Sequence, residues 1–136
     1  MAMAEHLKRG LRGEQLTARY LREQGYDVVS ANYRTAVGET DIVALSPDRE
    51  DLCFVEVKTR APGGMFPPAD AVDREKQERL ISNALVFARH FDEPFTHIRF
   101  DIAEVILFDL QTAQINLLPN AFGQEYHAQW TKPKKD

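Results

Sequence analysis

The sequence lacks the features that mark exported or membrane proteins. It contains one cysteine, Cys53, which cannot form an internal disulfide, so a disulfide-stabilised secreted scaffold is excluded and a reducing compartment is favoured. Residues 1–10 contain no apolar signal-peptide core, and no segment approaches the roughly 18 apolar residues that a membrane-spanning helix requires. We therefore expect a cytoplasmic protein without membrane contact.

Motifs for nucleotide and zinc binding are also missing. Gly63-Gly64 follows a predicted strand but lacks the Lys-Ser/Thr signature of a phosphate-binding loop. Cys53 lies beside Val55 on the inward face of that strand, which favours core packing over nucleophilic catalysis. The histidines do not have the spacing typical of zinc sites, so no metal role is expected for His6, His90, His97 or His127.

Length and charge bound the architecture and the partners. The chain has 136 residues and a net charge of −4, a length typical of one domain and a charge that argues against coating nucleic acid electrostatically. We assign one domain to residues 1–119 and a polar C-terminal tail to residues 120–136. Residues 35–56 carry six carboxylates and one arginine between basic flanks. Such an acidic centre is typical of a divalent-cation site.

Hydrophobic periodicity predicts an α/β order of elements. Helices are expected over residues 5–24 and 70–91, and strands over residues 26–33, 39–45, 52–60, 97–108 and 114–118. In the first helix an apolar stripe formed by Leu7, Leu11, Ala18 and Leu21 is interrupted by Glu14. A carboxylate at that position either faces a cation, a donor or a cleft, or reaches solvent from the edge of the stripe.

The second and third strands are expected to form a hairpin around residues 48–49. Symmetric pairing about that turn places Asp41 directly opposite Glu56, and Glu39 opposite Lys58. Two facing carboxylates are destabilising unless a metal ion, Lys58 or a shared proton lies between them.

The strongest chemical signal is Asp41 followed fifteen residues later by Glu56-Val57-Lys58. Carboxylate oxygens and a backbone carbonyl are hard ligands that suit Mg²⁺ or Mn²⁺. Lys58 lies two positions beyond Glu56 on the same strand face. There it can position or deprotonate a metal-bound water and neutralise the negative charge that develops on a phosphodiester. The pattern therefore predicts metal-assisted phosphodiester hydrolysis.

Motifs along most of the chain resemble the YraN family of uncharacterised bacterial proteins. They are GEQLTARYL at 13–21, GY at 25–26, NYR at 32–34, GETDIVA at 38–44 and FVEVKTR at 54–60. That family resembles the archaeal Holliday-junction resolvases and the wider PD-(D/E)XK nuclease superfamily. The resemblance, which spans residues 10 to about 105, implies a restriction-endonuclease-like α/β fold with a central mixed sheet flanked by helices.

The resemblance also implies roles for particular residues. The implied catalytic residues are Asp41, Glu56, Lys58 and Glu14. Of these, Asp41, Glu56 and Glu14 are the expected ligands of Mg²⁺ or Mn²⁺, and the ligand chemistry above adds the backbone carbonyl of Val57. Thr40 stands where the superfamily signature has proline, and we expect its side chain to point to the other face of the strand.

Further polar residues are candidates for supporting roles. Glu39 is either a group that orients the metal ligands or the ion-pair partner of Lys58, and Gln77 resembles a supporting polar position on the second helix. Candidate phosphate contacts are Arg12, Arg34, Arg60 and Lys76. Trp130 could stack on a base, although a disordered tail is the default expectation there.

Two functions are compatible with this pattern. The first is a metal-dependent endonuclease acting on DNA, branched or otherwise structured, as a homodimer in repair or recombination. The alternative is a non-catalytic module that binds nucleic acid or a protein partner on a nuclease-like fold, which the net negative charge favours.

Overall fold

A computed structural model describes residues 4–63 and 72–131 of the chain. In order, the elements are α1 (Glu5–Glu23), β1 (Asp27–Thr35), β2 (Gly38–Leu45), β3 (Asp51–Arg60), α2 (Arg74–His90), β4 (His97–Leu107) and β5 (Ala113–Phe122), followed by a short 3-10 helix (Gln124–Tyr126). Within the described residues, neither α-helix has the length and apolar character to span a lipid bilayer.

The strands form one five-stranded mixed sheet. They lie in the order β1-β2-β3-β4-β5, and β3 pairs with β4 in parallel while the other pairs are antiparallel. A parallel pair needs a long crossover connection, and α2 supplies it. This α/β architecture confirms the expected fold class, a mixed sheet flanked by helices, and is consistent with a restriction-endonuclease-like fold.

Two apolar layers cover opposite faces of the sheet. Phe54 on β3 packs in a cluster with Ala84 of α2, whereas its neighbour Val55 packs in a second cluster with Leu21 of α1. Successive side chains of a strand point to opposite faces, so α1 and α2 lie on opposite sides of the sheet. Cys53 is fully buried in the layer under α1, as expected for a packing residue.

The β2–β3 hairpin has the register expected from symmetry about its turn. Residues 42–45 pair with residues 55–52, from Ile42 opposite Val55 to Leu45 opposite Leu52. The turn contains Arg49 in the left-handed backbone region, with φ of 62°. Followed away from the turn, the paired ladder ends at Ile42, and Asp41 is the first β2 residue beyond it.

Helix α1 is rotated relative to the expected apolar stripe. Its buried residues are Gly13, Thr17 and Leu21, while the side chains of Leu7 and Leu11 are 57% and 41% exposed. A β-carbon at Gly13 would collide with Oγ1 of Thr59, so the helix approaches β3 through a position without a side chain. The prediction that Leu7 and Leu11 face the core was wrong, because a hydrophobic pattern cannot show that the helix packs closely through a glycine.

The C-terminal region is packed where a polar tail was predicted to begin. Strand β5 continues to Phe122, beyond the predicted end at residue 118. Trp130 stacks on Phe95 with ring centroids 5.9 Å apart, and its backbone N–H donates to the carbonyl of Thr96 at 2.5 Å. Residues 120–131 are therefore part of the domain, and the expectation of a disordered tail at Trp130 was wrong.

Some predicted boundaries lie outside the described residues. These are most of the loop predicted at 61–69, the first two residues of the helix predicted from 70, and tail residues 132–136. Helix α2 begins at Arg74, because the side chain of Asp73 accepts a hydrogen bond from the backbone N–H of Lys76 and so caps the helix at 2.8 Å.

Candidate active site

A pocket of about 300 Å³ lies between the N-terminal half of α1 and the adjoining ends of β2 and β3. Its lining residues are His6, Arg9, Gly10, Glu14, Asp41, Glu56, Val57, Thr59, Arg60 and Ala61. Three predicted carboxylates, Glu14, Asp41 and Glu56, therefore line a single pocket. They come from three different elements, which the close contact at Gly13 brings together.

Asp41 is a mostly buried carboxyl group. One of its oxygens, Oδ2, accepts a hydrogen bond of 2.8 Å from the backbone N–H of Val57. Burial and, to a smaller extent, the charge of Glu56 together raise the pKa of Asp41 to about 8, while the Val57 hydrogen bond opposes the change. Asp41 and Glu56 interact directly, as the predicted register required, and the fold confines two acids in one desolvated place.

Glu56 is held by two lysines. Its side chain is 8% exposed, and its Oε1 lies 2.9 Å from Nζ of Lys76 and 3.3 Å from Nζ of Lys58. Lys58 is its neighbour on β3, whereas Lys76 reaches it from the first turns of α2. The second lysine therefore neutralises a carboxylate that would otherwise be buried beside Asp41 with one cation.

Lys58 has an environment that favours its neutral form. Burial lowers the pKa of its ammonium group, and the positive charge of Lys76 lowers it further, although Glu56 acts in the opposite direction. Its side chain is 20% exposed, so it is within reach of water. A lysine with a lowered pKa can accept a proton near neutral pH more readily than an exposed lysine can.

Glu14 faces the pocket rather than bulk solvent. Its Oε1 is buried and has no hydrogen-bond partner among the described residues. Burial raises its pKa, and the charges of Glu39 and Glu56 add to that effect. Of the two alternatives left open by helix geometry, the cleft is the one found.

Two supporting residues do not join the pocket. Glu39 forms an ion pair with Arg34 at 3.1 Å, so the predicted pairing of Glu39 with Lys58 was wrong. The ladder between β2 and β3 has ended before Glu39 is reached, and Lys58 contacts Glu56 instead. Gln77 donates to the carbonyl of Val72 at 3.0 Å and lies outside the lining of this pocket.

The four candidate phosphate contacts divide into two groups. Arg60 lines the pocket, with a buried Nε that has no hydrogen-bond partner among the described residues, and Lys76 contacts Glu56 beside it. Arg12 donates to the carbonyl of Leu110 at 2.7 Å, and Arg34 is exposed in its pair with Glu39. The first two are therefore near the acids, and the other two lie on the flanks.

Sequence reasoning missed two basic residues of the lining, His6 and Arg9. His6, Gly10 and Glu14 are spaced by four, which places them on one helix face, so His6 could have been found once Glu14 was assigned to a cleft. No sequence pattern pointed to Arg9. Its side chain is positioned by a hydrogen bond of 2.5 Å to the carbonyl of Leu107, which is distant in the sequence.

The pocket residues fit a hard divalent cation by their chemistry. Glu14, Asp41 and Glu56 offer carboxylate oxygens, and Val57 offers a backbone carbonyl, which are ligands typical of Mg²⁺ and Mn²⁺. The unpartnered Glu14 oxygen and the raised pKa values of Glu14 and Asp41 show that the protein by itself does not stabilise the charged forms of these two acids. The three carboxylates do not all lie within 4.8 Å of one another, whereas Asp41 and Glu56 interact directly.

Fold and site together define an α/β protein with a mixed sheet and a carboxylate-lined pocket beside its first helix, with two lysines on one of the carboxylates. The model of the uncharacterised protein family UPF0102 matches residues 13–105 of the chain. A UPF0102 protein of Alkaliphilus oremlandii is 40% identical over 117 residues, covering 85% of this chain and 97% of that protein. One of Rhodococcus opacus is 38% identical over 120 residues, covering 88% of this chain and 100% of the relative.

A third relative, a UPF0102 protein of Solibacter usitatus, is 47% identical over 95 residues, covering 70% of this chain and 72% of that protein. The chain therefore belongs to the family UPF0102. This confirms the family part of the resemblance, since UPF0102 is the YraN-like family indicated by the motifs. The matched region contains all of the predicted catalytic residues.

Proposed function

We propose that this protein is a metal-dependent endonuclease that hydrolyses phosphodiester bonds of DNA, with branched or structured DNA as the substrate in repair or recombination. The observation that carries the proposal is the pair of the partly buried Asp41 and the buried Glu56, which share a pocket with an unpartnered Glu14 oxygen, while Lys58 contacts Glu56 from outside the pocket lining. Such a pair is unfavourable for folding, and a cation-binding role explains it.

Asp41, Glu56, Glu14 and the carbonyl of Val57 would hold Mg²⁺ or Mn²⁺. A bound ion of this kind supplies charge stabilisation to the phosphate and lowers the pKa of water. The Val57 N–H fixes one oxygen of Asp41, and the other oxygen would act as a ligand. Lys76 holds Oε1 of Glu56, which orients that carboxylate in the same way.

Lys58 is the residue that handles the proton. Its lowered pKa allows it to accept a proton from the attacking water, and once charged it neutralises the phosphate that gains negative charge. Arg60 and Lys76 are placed to contact the phosphate beside the pocket, and Arg12 and Arg34 to contact flanking phosphates. The net charge of −4 means that DNA would be attracted locally at these residues rather than by the whole surface.

A homodimer follows from the same proposal. A resolvase-like enzyme cuts two strands symmetrically and therefore needs two sites. Four exposed apolar side chains lie on α1 and on the turn after β4: Leu7, Leu11, Phe108 and Leu110. The hydrogen bond from Arg12 to Leu110 holds these two elements together, so they form one surface that we assign to the dimer contact.

The decisive experiment compares cleavage of labelled four-way junction, flap, single-stranded and duplex DNA with Mg²⁺ or Mn²⁺. We expect the wild-type protein to cut one structured substrate, and Asp41→Asn and Lys58→Ala to abolish cutting. Lys8→Ala, at an exposed position of α1, is the matched control and should cut normally. Cleavage that persists in both site variants would come from a contaminant, and absence of cleavage by the wild-type protein would refute the proposal.

A second candidate function is a binding module without catalysis. The observation that favours it is the pair of lysines on Glu56, because both amino groups contact Oε1 of Glu56, an oxygen that a metal ion would need. Such a module would bind junction DNA or a protein partner, and Asp41→Asn would leave cation affinity unchanged. An endonuclease requires instead that Asp41→Asn weaken Mg²⁺ binding, so isothermal titration separates the two functions.

A further inference from the structure

A second cluster of ligand-type side chains lies at the opposite end of β3 from the catalytic residues. Asp51 begins β3, His97 begins β4, and the two are directly paired in the parallel register. His127 arrives from the C-terminal segment, immediately after the short 3-10 helix, and Gln129 then forms a bridge with His97. Three separate parts of the chain therefore meet at one carboxylate.

The geometry of this cluster matches a metal site. Oδ1 of Asp51 lies 3.0 Å from Nδ1 of His97 and 3.5 Å from Nε2 of His127, and all three atoms are within 4.8 Å of one another. In a tetrahedral zinc site with bonds of 2.0–2.1 Å, neighbouring ligand atoms are about 3.3 Å apart. The two measured separations lie on either side of that value. Among the described residues, this is the one group of three such ligands.

One ligand atom in the cluster lacks a partner. Nε2 of His127 is buried and has no hydrogen bond in the described part of the chain, since 3.5 Å from Asp51 is too long for a good one. The rings of His97 and His127 stack at 23° with centroids 4.7 Å apart. The stacking holds both rings side by side against the carboxylate of Asp51.

The charged groups around this cluster have a net negative charge, which favours a cation. Arg99 donates to Oδ2 of Asp51 at 3.0 Å, which orients the carboxylate and leaves Oδ1 facing the two histidines. Arg99 also forms a two-pronged pair with the buried Asp101. The two carboxylates and one guanidinium sum to one negative charge. Each ligand residue is partly exposed, so an ion can enter and water can complete the coordination.

We propose that Asp51, His97 and His127 bind Zn²⁺, with the fourth position open to water. Imidazole nitrogen together with one carboxylate oxygen is a ligand set that suits zinc and neighbouring transition metals rather than Mg²⁺. The site shares no residue with the candidate active-site pocket and is independent of the nuclease proposal. It fastens residues 123–131 to the start of β3 and β4, so zinc would stabilise the C-terminal part of the domain.

Sequence spacing could not reveal this site. Forty-six residues separate Asp51 from His97 and thirty separate His97 from His127, so no short motif is present. The expectation that none of the four histidines has a metal role rested on that spacing. Tertiary pairing of β3 with β4 and the return of the C-terminal segment bring the ligands together instead.

The test is zinc titration of the full chain after metal removal, by calorimetry, with His127→Gln and His97→Gln as site variants. His90→Gln is the matched control, because His90 is exposed on α2. We expect one zinc ion per chain in the wild-type and control proteins, and at least about 100-fold weaker binding in both site variants. Co²⁺ should give the visible absorption of a four-coordinate site in the wild-type and His90→Gln proteins and in neither site variant.

Unfolding midpoints distinguish ligand loss from misfolding. Zinc should raise the midpoint of the wild-type and Asp41→Asn proteins, and should leave the midpoint of both site variants unchanged. In EDTA both site variants should unfold at the wild-type temperature. If one of them is destabilised, the zinc affinity of the other site variant tests the proposal. Zinc affinity equal to wild type in either correctly folded site variant, or absence of zinc binding by the wild-type protein, would overturn the proposal.

Discussion

The carboxylate of Asp41 accepts a hydrogen bond from the backbone N–H of Val57 at the point where the β2–β3 ladder ends. A side chain thus replaces the next backbone partner, and the two strands separate beyond it. The separation creates the pocket, and the same hydrogen bond orients Asp41 within it. Both the opening and the acid that lines it therefore depend on one contact.

Replacing Asp41 with asparagine should stabilise the protein when divalent cations are absent. The pKa of Asp41 is raised to about 8 by burial and by Glu56, so the folded state binds more protons than the unfolded state between about pH 4 and 8. Wild-type stability therefore falls as pH rises through that range. Asp41→Asn removes this loss, and we expect a gain of about 1–3 kcal/mol at pH 8.

Urea unfolding in EDTA at pH 5 and pH 8 measures this effect. The advantage of Asp41→Asn should be larger at pH 8. The control is Asp92→Asn, which removes the same charge from an exposed position and should change stability by less than about 0.5 kcal/mol at either pH. A destabilised Asp41→Asn protein at pH 8 would show that the carboxylate is not under repulsion.

Removing Lys76 should strengthen cation binding at the pocket. Nζ of Lys76 lies 2.9 Å from Oε1 of Glu56 and competes with any cation for that oxygen. Lys76→Met keeps the aliphatic stem and removes the charge, and we expect Mg²⁺ affinity to rise about fivefold, or roughly 1 kcal/mol. Mg²⁺ titration calorimetry checks this, with Lys8→Met as the exposed control. Weaker binding in Lys76→Met would mean that Lys76 positions Glu56 more than it competes.

Adding one methyl group at Gly13 should destabilise the fold. A β-carbon there would collide with Oγ1 of Thr59, so α1 or β3 must shift, at a cost of about 1–3 kcal/mol. Gly10→Ala is a matched control on the same helix, since nothing lies within 4 Å of the new β-carbon. It should stabilise the protein by about 0.5–1 kcal/mol. Denaturant unfolding of both variants and of Gly13→Ala/Thr59→Ala, which should recover part of the loss, makes the comparison.

Asn83 should be among the most costly polar residues to remove. It is fully buried on α2 and donates to the carbonyl of Tyr33 at 3.2 Å and to Oγ1 of Thr40 at 3.1 Å, and it accepts from Thr35. Alanine would leave these groups unpaired, and we expect a loss of about 2–4 kcal/mol in unfolding experiments. Ser82→Ala, at the exposed neighbouring position, should be nearly neutral. Equal effects of the two would contradict the proposed hydrogen-bond role.

Leu11→Glu should dissociate the proposed homodimer. The side chain of Leu11 is 41% exposed on the surface assigned to the dimer contact, and a charge there would be buried by association. Light scattering with size-exclusion chromatography should give twice the 15.5 kDa chain mass for the wild-type protein and the chain mass for the variant. Gln15→Glu, also exposed on α1, is the control and should remain dimeric. A monomeric wild-type protein would remove the dimer from the proposal.

Local pattern predicted much of the fold and the centre of the site. The order of elements follows from periodicity, and the juxtaposition of Asp41 and Glu56 follows from symmetry about the turn, because a hairpin register is fixed by its connection. The same argument failed to predict the partner of Glu39, because the β2–β3 ladder ends at Ile42 and does not reach Glu39. Thus the register predicted the first acid pair and failed two residues further on.

Contacts between distant segments could not be predicted in this way. The contact of Lys76 with Glu56 exists only because α2 packs against the sheet. The need for glycine at position 13 likewise arises only because Thr59 packs against it. His127 meets Asp51 because the C-terminal segment folds back, which a polar composition does not indicate. Each of these contacts depends on tertiary packing, and a single sequence carries no periodic signal for it.

The single parallel pair in the sheet has a consequence for how the chain folds. Strands β1 to β3 form by short connections, and so does the β4–β5 hairpin, whereas β3 and β4 meet only after residues 61–96 have closed a long loop. We expect the entropy of this closure to limit the folding rate. Asp41 and Glu56 both belong to the early, local half, so we expect the repulsion between their charges to be present before the rate-limiting step, although their burial is completed later. A chevron analysis should therefore show Asp41→Asn accelerating refolding, with little change in unfolding.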